Sequence, residues 1–241
     1  MDYSLDLLCS FMKKILMLVA LSTASGLALA SENTTDWNGF YAGANIGYGW
    51  GKTNDQLNSN ASKQDLSGFT GGFQIGHNWQ LNNNIVLGLE TNLAFNNIKE
   101  NWKDRDNNQY SPYYGKDAVK EAGSLTVKAG YAIDKFLPYV LTGVTVAKTN
   151  HEVGCDRSLV SATNGCKTQY NSSNSNISVG ATVGAGVSYK VTDNLSTSLE
   201  YQYTNLGKSS VHLTDPNYPA AGEREFKTSY STTALKLNYH F

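Results

Sequence analysis

Four ionisable residues occur at the centres of segments in which polar and apolar side chains alternate: Glu90, Lys128, Glu200 and Lys236. Each lies on the polar side of its segment, opposite a row of apolar side chains. Two carboxylates and two ammonium groups can pair into a neutral network, with Glu90 beside Lys128 and Glu200 beside Lys236. The same four groups can also line a gated path for ions. The residue types allow both kinds of site.

A second candidate for chemistry is the cysteine pair Cys155 and Cys166, which remains once an N-terminal leader containing Cys9 is removed. An even number of cysteines in an exported chain predicts a disulfide. The bond would close a ring of roughly a dozen residues and add about 3 kcal/mol in the chain-entropy treatment. Two free thiols are the alternative.

The residue spacing supports no other kind of site. The two distant cysteines and the scattered histidines lack the spacing of metal ligands, so no metal is predicted. Serine, histidine and aspartate occur without the motifs that bring a nucleophile, a base and an orienting group together, so no enzyme activity is predicted. A net charge of −1 gives no reason to expect nucleic acid as a partner.

The N-terminus has the pattern of a secretory signal. Met12 opens a short basic start, an apolar run follows at 15–21, and small residues precede a cleavage position after Ala30. The apolar run is too short to span a membrane as a helix. Residues 1–11 precede this pattern, so we interpret Met12 as the functional start, with a genuinely longer leader as the alternative. The predicted leader is therefore 1–30, and the predicted mature domain is 31–241.

The mature chain contains about eight stretches of alternating polarity, each long enough to span a membrane as a strand. Long polar connections, among them 97–120, 148–176 and 205–229, alternate with short turns at 81–84, 134–135 and 191–194. This alternation is typical of a transmembrane barrel with long outer loops. We therefore predict an all-β fold, a closed eight-stranded antiparallel transmembrane β-barrel of up-and-down topology with four long extracellular loops. The predicted strands are 39–51, 68–80, 85–96, 123–133, 136–147, 177–190, 195–204 and 233–241.

The charges indicate which face of each strand points outward. With the charged faces outward, Lys128 and Lys236 would lie near the middle of the bilayer, at about 2 to 4 kcal/mol each. The apolar faces must therefore meet lipid, and all four charged residues share one level of the lumen. Because side chains fill the interior of a barrel of this size, we favour a network that plugs the lumen, with a gated ion path as the alternative. Two aromatic girdles are predicted, an inner one of Phe40, Trp79, Tyr131, Phe136, Tyr189, Tyr239 and Phe241, and an outer one of Trp50, Phe69, Phe95 and Tyr203.

Four segments carry a family resemblance: DWNGFYAGANIGYGWG at 36–51, LPYVLTGVTVA at 137–147, LEYQYTNLG at 199–207 and LKLNYHF at 235–241. They resemble the small alphaproteobacterial outer-membrane proteins grouped as opacity-protein-like or porin-family surface antigens. The resemblance implies an eight-stranded barrel in the outer membrane, in contact with its lipid and lipopolysaccharide. It also implies that Phe241 is the signal that the barrel assembly machinery recognises.

Some members of this family are described as hemin-binding proteins. His151 and His212 fall in predicted outer loops, and histidine and tyrosine are both haem ligands, although the two histidines have no paired spacing. We predict a surface protein with a structural or interaction role, whose loops contact host surface molecules or the environment. A hemin-binding receptor and a narrow porin-like channel are the alternatives. The tyrosines predicted in other outer loops are Tyr110, Tyr113, Tyr114, Tyr170 and Tyr218.

Overall fold

The structure is a computed structural model, and it describes residues 35–55, 64–106, 109–155, 168–212 and 223–241. The predicted leader, including Met12, lies outside these ranges. The described residues form eight strands that follow one another along the chain. They are β1 (Gly39–Asp55), β2 (Gln64–Gln80), β3 (Ile85–Asp106), β4 (Gln109–Tyr131), β5 (Phe136–Cys155), β6 (Tyr170–Thr192), β7 (Leu195–His212) and β8 (Glu223–His240).

Each strand pairs antiparallel with the next one along the chain, and β8 pairs with β1. This last pairing runs from Tyr41 opposite His240 to Asp55 opposite Phe226, so the sheet closes on itself. The predicted fold class, a closed eight-stranded antiparallel barrel, is confirmed. Among the residues that the structure describes, no helix is long and apolar enough to cross a membrane.

Short turns join β2 to β3, β4 to β5 and β6 to β7 at one end of the barrel, which we call the inner end. All three fall where the sequence predicts short polar turns. Two of the turn residues, Asn84 and Asp134, have positive φ angles of 64° and 49°. Asn and Asp tolerate this left-handed conformation better than most residues, which explains their use at these positions.

The two faces of the barrel wall differ sharply in polarity. On the outward face, apolar side chains such as Leu89, Val127 and Leu237 are 40%, 53% and 53% exposed. On the inward face, Glu90 and Lys236 are only 1% and 2% exposed. Every aromatic residue of the two predicted girdles is exposed on the outside. The strands therefore place their apolar side chains outward and their charges in the lumen.

The predicted strand boundaries are wrong at the outer end, where the strands are longer than the alternation indicates. Most of the predicted connections at 97–120, 148–176 and 205–229 continue the strands β3 to β8. Polar side chains on both faces erase the alternation there, although the backbone N–H and C=O groups still pair between neighbouring strands. Bulges also break the strict alternation near this end, for example between Val119 and Glu121. The spanning half of each strand is thus visible in the sequence, and its outer extension is not.

Candidate functional site

The four charged residues singled out from the sequence meet in the lumen and form one closed set of contacts, which we call the charged ring. The Lys128 Nζ lies 2.6 Å from Glu90 Oε2 and 3.3 Å from Glu200 Oε2. The Lys236 Nζ lies 2.8 Å from Glu90 Oε1 and 2.5 Å from Glu200 Oε1. Each lysine therefore contacts both glutamates. The expected pairs, Glu90 with Lys128 and Glu200 with Lys236, are present, and two further pairs across the lumen join them.

Strand register explains why these side chains meet. On β3 and β4, Glu90 lies opposite Thr126 and Gly88 lies opposite Lys128, so Glu90 and Lys128 are diagonal neighbours. On β7 and β8, Glu200 and Lys236 are offset in the same way. The two strand pairs are separated by β5 and β6 on one side of the barrel and by β1 and β2 on the other. Because a barrel of eight strands is narrow, the charges reach one another across the lumen.

Two tyrosines complete the charged ring. Tyr41 donates a hydrogen bond from its hydroxyl to Glu90 Oε2 at 2.9 Å, and Tyr139 donates to Glu200 Oε2 at 2.7 Å. Gln202 Nε2 donates to Glu200 Oε1 at 2.8 Å. Buried charges are tolerated when they are paired and their remaining lone pairs are hydrogen-bonded, and both carboxylates meet that condition. The carboxylates are therefore fixed in position from several sides.

Glycine provides the space for both tyrosine rings. A Cβ atom at Gly76 would lie 2.4 Å from Cζ of Tyr41, and one at Gly186 would lie 2.6 Å from Cζ of Tyr139. A side chain at either position would push the ring away from its carboxylate. The sequence interpretation did not assign a role to the two tyrosines. Tyr41 does carry a signal, because it is a large side chain on an inward face otherwise rich in glycine, whereas Tyr139 stands between Leu137 and Leu141 and carries none.

An apolar cluster lies in the lumen and extends from the level of the charged ring to its inner side. Trp37 is 1% exposed, and its backbone N–H donates to Gln80 Oε1 at 2.7 Å. His240, predicted at the lumen mouth, contacts Ser196 Oγ through Nε2 at 2.8 Å. A cavity of about 30 Å³ beside the ring is lined in part by Trp37, Lys128 and His240. The inner cluster consists of Trp37, Val86, Ala132, Leu137, Tyr139 and Leu141.

A second apolar cluster closes the lumen on the outer side of the ring. Its members project inward from six strands, and Ile98 is completely buried at 0% exposure. A polar cavity of about 50 Å³ lies next to the ring on this side and includes Glu200 and Lys236 in its wall. The lumen therefore alternates apolar closure, charged ring and apolar closure. The outer cluster consists of Leu66, Ile98, Val119, Ala147, Leu206 and Tyr230.

The predicted hemin contacts are placed differently from the expectation. His151 and His212 do not fall in loops, because they belong to β5 and β7, with β6 between these two strands. The structure does not describe the side chains of these two histidines, so hemin binding stays a prediction. A hemin titration that follows the Soret band, with His151→Ala and His212→Ala, tests it. The four predicted loop tyrosines within the described ranges are also in strands: Tyr110, Tyr113, Tyr114 and Tyr170.

The remaining predicted residues lie near the ends of the strands. Cys155 is buried at the outer end of β5, and Cys166 lies outside the described residues, so the disulfide stays a prediction. Phe241 follows β8 and donates its backbone N–H to the Phe40 carbonyl at 3.0 Å. Its role as an assembly signal also stays a prediction. Within the described ranges, no group of three His, Cys, Asp or Glu residues is arranged to hold a metal ion.

Comparison with known proteins is consistent with this architecture. The chain matches the family model of the outer membrane protein beta-barrel domain over residues 16–241. It is 28% identical over 173 residues to a 25 kDa outer-membrane immunogenic protein of Brucella ovis, covering 71% of this chain and 70% of the relative. It is 29% identical over 239 residues to a 31 kDa outer-membrane immunogenic protein of Brucella melitensis, covering 92% of this chain and 91% of the relative.

Among solved structures, the chain resembles the outer membrane protein OprG from Pseudomonas aeruginosa. The TM-score is 0.52 at 9% identity, with 85% of this chain and 96% of that chain covered. At this identity the likeness concerns the fold alone. The Brucella relatives are named for their immunogenicity and their location, not for a catalysed reaction. The chain belongs to the outer membrane protein beta-barrel domain family, and it is a surface barrel of the outer membrane.

Proposed function

We propose that this protein is a closed barrel that anchors its outer strand ends at the cell surface, where they contact the host or the environment. The observation that carries this proposal is the charged ring with an apolar cluster on each side of it. A barrel whose lumen is closed provides no path for solutes, so its remaining role is to anchor the protein in the membrane. Contact with other molecules then falls to the part of the protein outside the membrane.

The lumen contains one charged and two apolar barriers, which makes a continuous water path difficult to open. An ion would have to separate carboxylate and ammonium groups that satisfy each other, and it would lose its hydration in each apolar cluster. The cavities on the two sides of the ring, of about 30 Å³ and 50 Å³, have room for only a few water molecules. These features support an anchor over a transport protein.

The outer strand extensions are suited to contact with other molecules. They carry polar and charged side chains, such as the exposed pair Lys116 and Glu152 and the neighbouring Asn171. The aromatic side chains at both rims suit contact with membrane lipid and with lipopolysaccharide. Phe241 at the C-terminus suits recognition by the barrel assembly machinery during insertion. Host surface molecules are the class of partner that we propose for the outer extensions.

The test is ion conductance of the purified protein in planar lipid bilayers. Insertion is checked on the same preparation by gel migration before and after boiling, because a closed barrel resists detergent until it is heated. We expect inserted protein to give no steady conductance. Steady openings of ion size would contradict the anchor and favour a channel.

A narrow channel is the second candidate, because cavities lined in part by polar side chains lie on both sides of the charged ring. Such a channel would need the ring and both apolar clusters to rearrange together. If steady openings appear and Lys128→Ala or Glu90→Ala abolishes them, the ring belongs to the ion path. If no opening appears in the unmodified protein, the channel is rejected.

A further inference from the structure

At the outer end of the barrel, part of β6 is paired on one side only. The β5–β6 pairing continues outward to Cys155 opposite Tyr170, but the β6–β7 pairing stops at Ala181 opposite Asn205. Residues 171–179 of β6 therefore pair with β5 on one side, and on the other side no described strand forms a ladder with them, whereas Gly180 still lies against the backbone of Asn205 and Leu206. We call this second side the outer edge of β6.

The outer edge exists because β7 leaves its neighbour. A register shift between Asn205 and Lys208 bends β7, and Gly207 within it has a φ of +68° that favours glycine. Beyond the shift, β7 stays paired with β8 as far as His212 opposite Glu223. The ring of strands thus separates at this position, and β6 continues with β5.

Two side-chain contacts from β5 identify the backbone groups of β6 that face this edge. Two threonines of β5 donate to carbonyl groups of β6. Thr149 Oγ1 donates to the Asn176 carbonyl and Thr142 Oγ1 donates to the Thr182 carbonyl, each at a distance of 3.3 Å. In an antiparallel ladder the N–H and C=O groups of one residue point to the same side, and successive residues alternate. Because the carbonyls of Asn176 and Thr182 point to β5, the backbone groups of the even-numbered residues of β6 face β5. Odd-numbered residues face the outer edge. The Ile177 N–H fits this assignment, because it bonds to Asn176 Oδ1 at 2.9 Å and not to a neighbouring strand.

The composition of the outer edge is unusual for an edge strand. Proteins generally protect such edges with lysine, proline or inward-pointing charges. Residues 171–179 read NSSNSNISV and contain no charged residue and no proline. Ser173 and Ser175 are exposed. The edge residues themselves therefore offer an approaching polypeptide no charge and no missing N–H, and a charge next to them is that of Glu152, which accepts from Asn171 Nδ2 at 3.0 Å.

We propose that the outer edge of β6 binds an extended, uncharged peptide segment of a partner protein, which adds to the sheet as one further strand. Two features select this occupant. The β6–β7 ladder already ends in line with the edge, so an added strand continues an existing pairing. The edge is neutral, so a neutral segment suits it better than an acidic or basic one. The inference rests on the proposed surface function and specifies how a partner is recognised.

Amide hydrogen exchange, measured by NMR on the barrel in nanodiscs, tests the edge directly. In the free protein, the N–H groups of Ser173 and Ser175 are expected to exchange at least about tenfold faster than that of Ser172, which faces β5. Ile177 is left out of the comparison because Asn176 protects it. Equal protection of odd and even residues would overturn the proposal, because the edge would then be covered.

Binding is tested with a synthetic peptide of alternating threonine and serine, about nine residues long. At millimolar peptide, exchange at Ser173 and Ser175 is expected to slow severalfold, and Ser172 is expected to stay unchanged. A matched peptide with proline at alternate positions is expected to have no effect, because it cannot donate its backbone hydrogen bonds. If neither peptide slows exchange, the proposal is wrong.

The variant Ser173→Pro provides the protein control. Its missing N–H faces the edge and not β5, so the β5–β6 ladder is retained while strand addition is blocked. Ser173→Ala is expected to respond to the peptide as the unmodified protein does. A response that survives in Ser173→Pro would contradict the proposal. Conductance remains independent of this test, so failure of strand addition and failure of the anchor function are distinguishable.

Discussion

The same barrel carries two very different sets of ion pairs, one in the lumen and one on the outer extension. In the charged ring, the Glu90 and Glu200 side chains are 1% exposed, and every ammonium group contacts two carboxylates. On the outer extension, Lys116 Nζ lies 3.2 Å from Glu152 Oε1, with side-chain exposures of 52% and 23%. In the ring, where water is excluded, each charge is compensated only by its partners. At the outer pair, water weakens the interaction between the two charges.

This difference indicates what each set contributes. A buried charge that loses its partner is left without compensation, so the ring specifies one arrangement of β3, β4, β7 and β8. An exposed pair that is lost is replaced by water. The predicted effects of substitutions should therefore fall steeply from the lumen to the surface. Unfolding by urea in lipid vesicles, followed by tryptophan fluorescence, measures the free energy of unfolding in each case.

The largest effect is expected for Glu90→Gln. The substitution keeps the shape of the side chain but leaves Lys128 and Lys236 to share Glu200 alone. We expect the free energy of unfolding to fall by roughly 3 to 5 kcal/mol, the usual loss when one partner of a buried ion pair is removed. A loss below about 1 kcal/mol, the range of exposed pairs, would show that the ring is hydrated.

The outer cluster is expected to give the next largest effect, without any charge. Ile98→Ala leaves a cavity where the side chain is completely buried, which should lower the free energy of unfolding by about 2 to 5 kcal/mol. Ile98→Val keeps most of the packing and should lose only about 0.5 to 1.5 kcal/mol. Equal losses in the two variants would argue against a packed closure at this level.

Crowding beneath a ring tyrosine should have a smaller effect. Gly186→Ala places a Cβ atom 2.6 Å from Cζ of Tyr139, and overpacking of this kind usually loses about 1 to 3 kcal/mol. Gly123→Ala is the matched control, because the nearest heavy atom that its Cβ would meet is Leu93 Cδ2 at 3.6 Å. If the control loses as much as Gly186→Ala, the effect comes from strand propensity and not from the tyrosine.

The smallest effect is expected at the outer pair. Glu152→Gln should change the free energy of unfolding by less than about 1 kcal/mol, because the pair is exposed. The difference from the unmodified protein should shrink further as salt is added from low ionic strength to 1 M, where screening is strong. A large loss that persists in high salt would place the outer pair in the same class as the ring.

The sequence contains enough information to place the charged ring. Glu90, Lys128, Glu200 and Lys236 stand on polar faces opposite apolar ones, and a lysine in the bilayer is too unfavourable for the opposite orientation. The cross-lumen contacts could not be derived, because they depend on how narrow the closed barrel is. Tyr41 and Tyr139 were not assigned because a large inward side chain does not indicate its role until the neighbouring glycines are seen to make room for it.

The outer half of the fold was less accessible from the sequence. Alternation marks a strand only where one face meets lipid, so residues 97–106 of β3 and 148–155 of β5 looked like connections. Trp37 was not identified as part of the inner closure because it precedes β1, outside any alternating segment. Both omissions have one cause. Pairing of backbone groups and packing inside the lumen are contacts between distant residues, which local polarity does not report.

A double-mutant cycle across the lumen tests the central claim, that the ring is one coupled unit. Glu90→Gln, Lys236→Gln and the double variant are compared in the urea measurement, with the same cycle on Glu152 and Lys116 as reference. We predict a coupling energy of at least about 1.5 kcal/mol in the ring and a value near zero for the outer pair. Losses at Glu90 and Lys236 that add within about 0.5 kcal/mol would contradict the account.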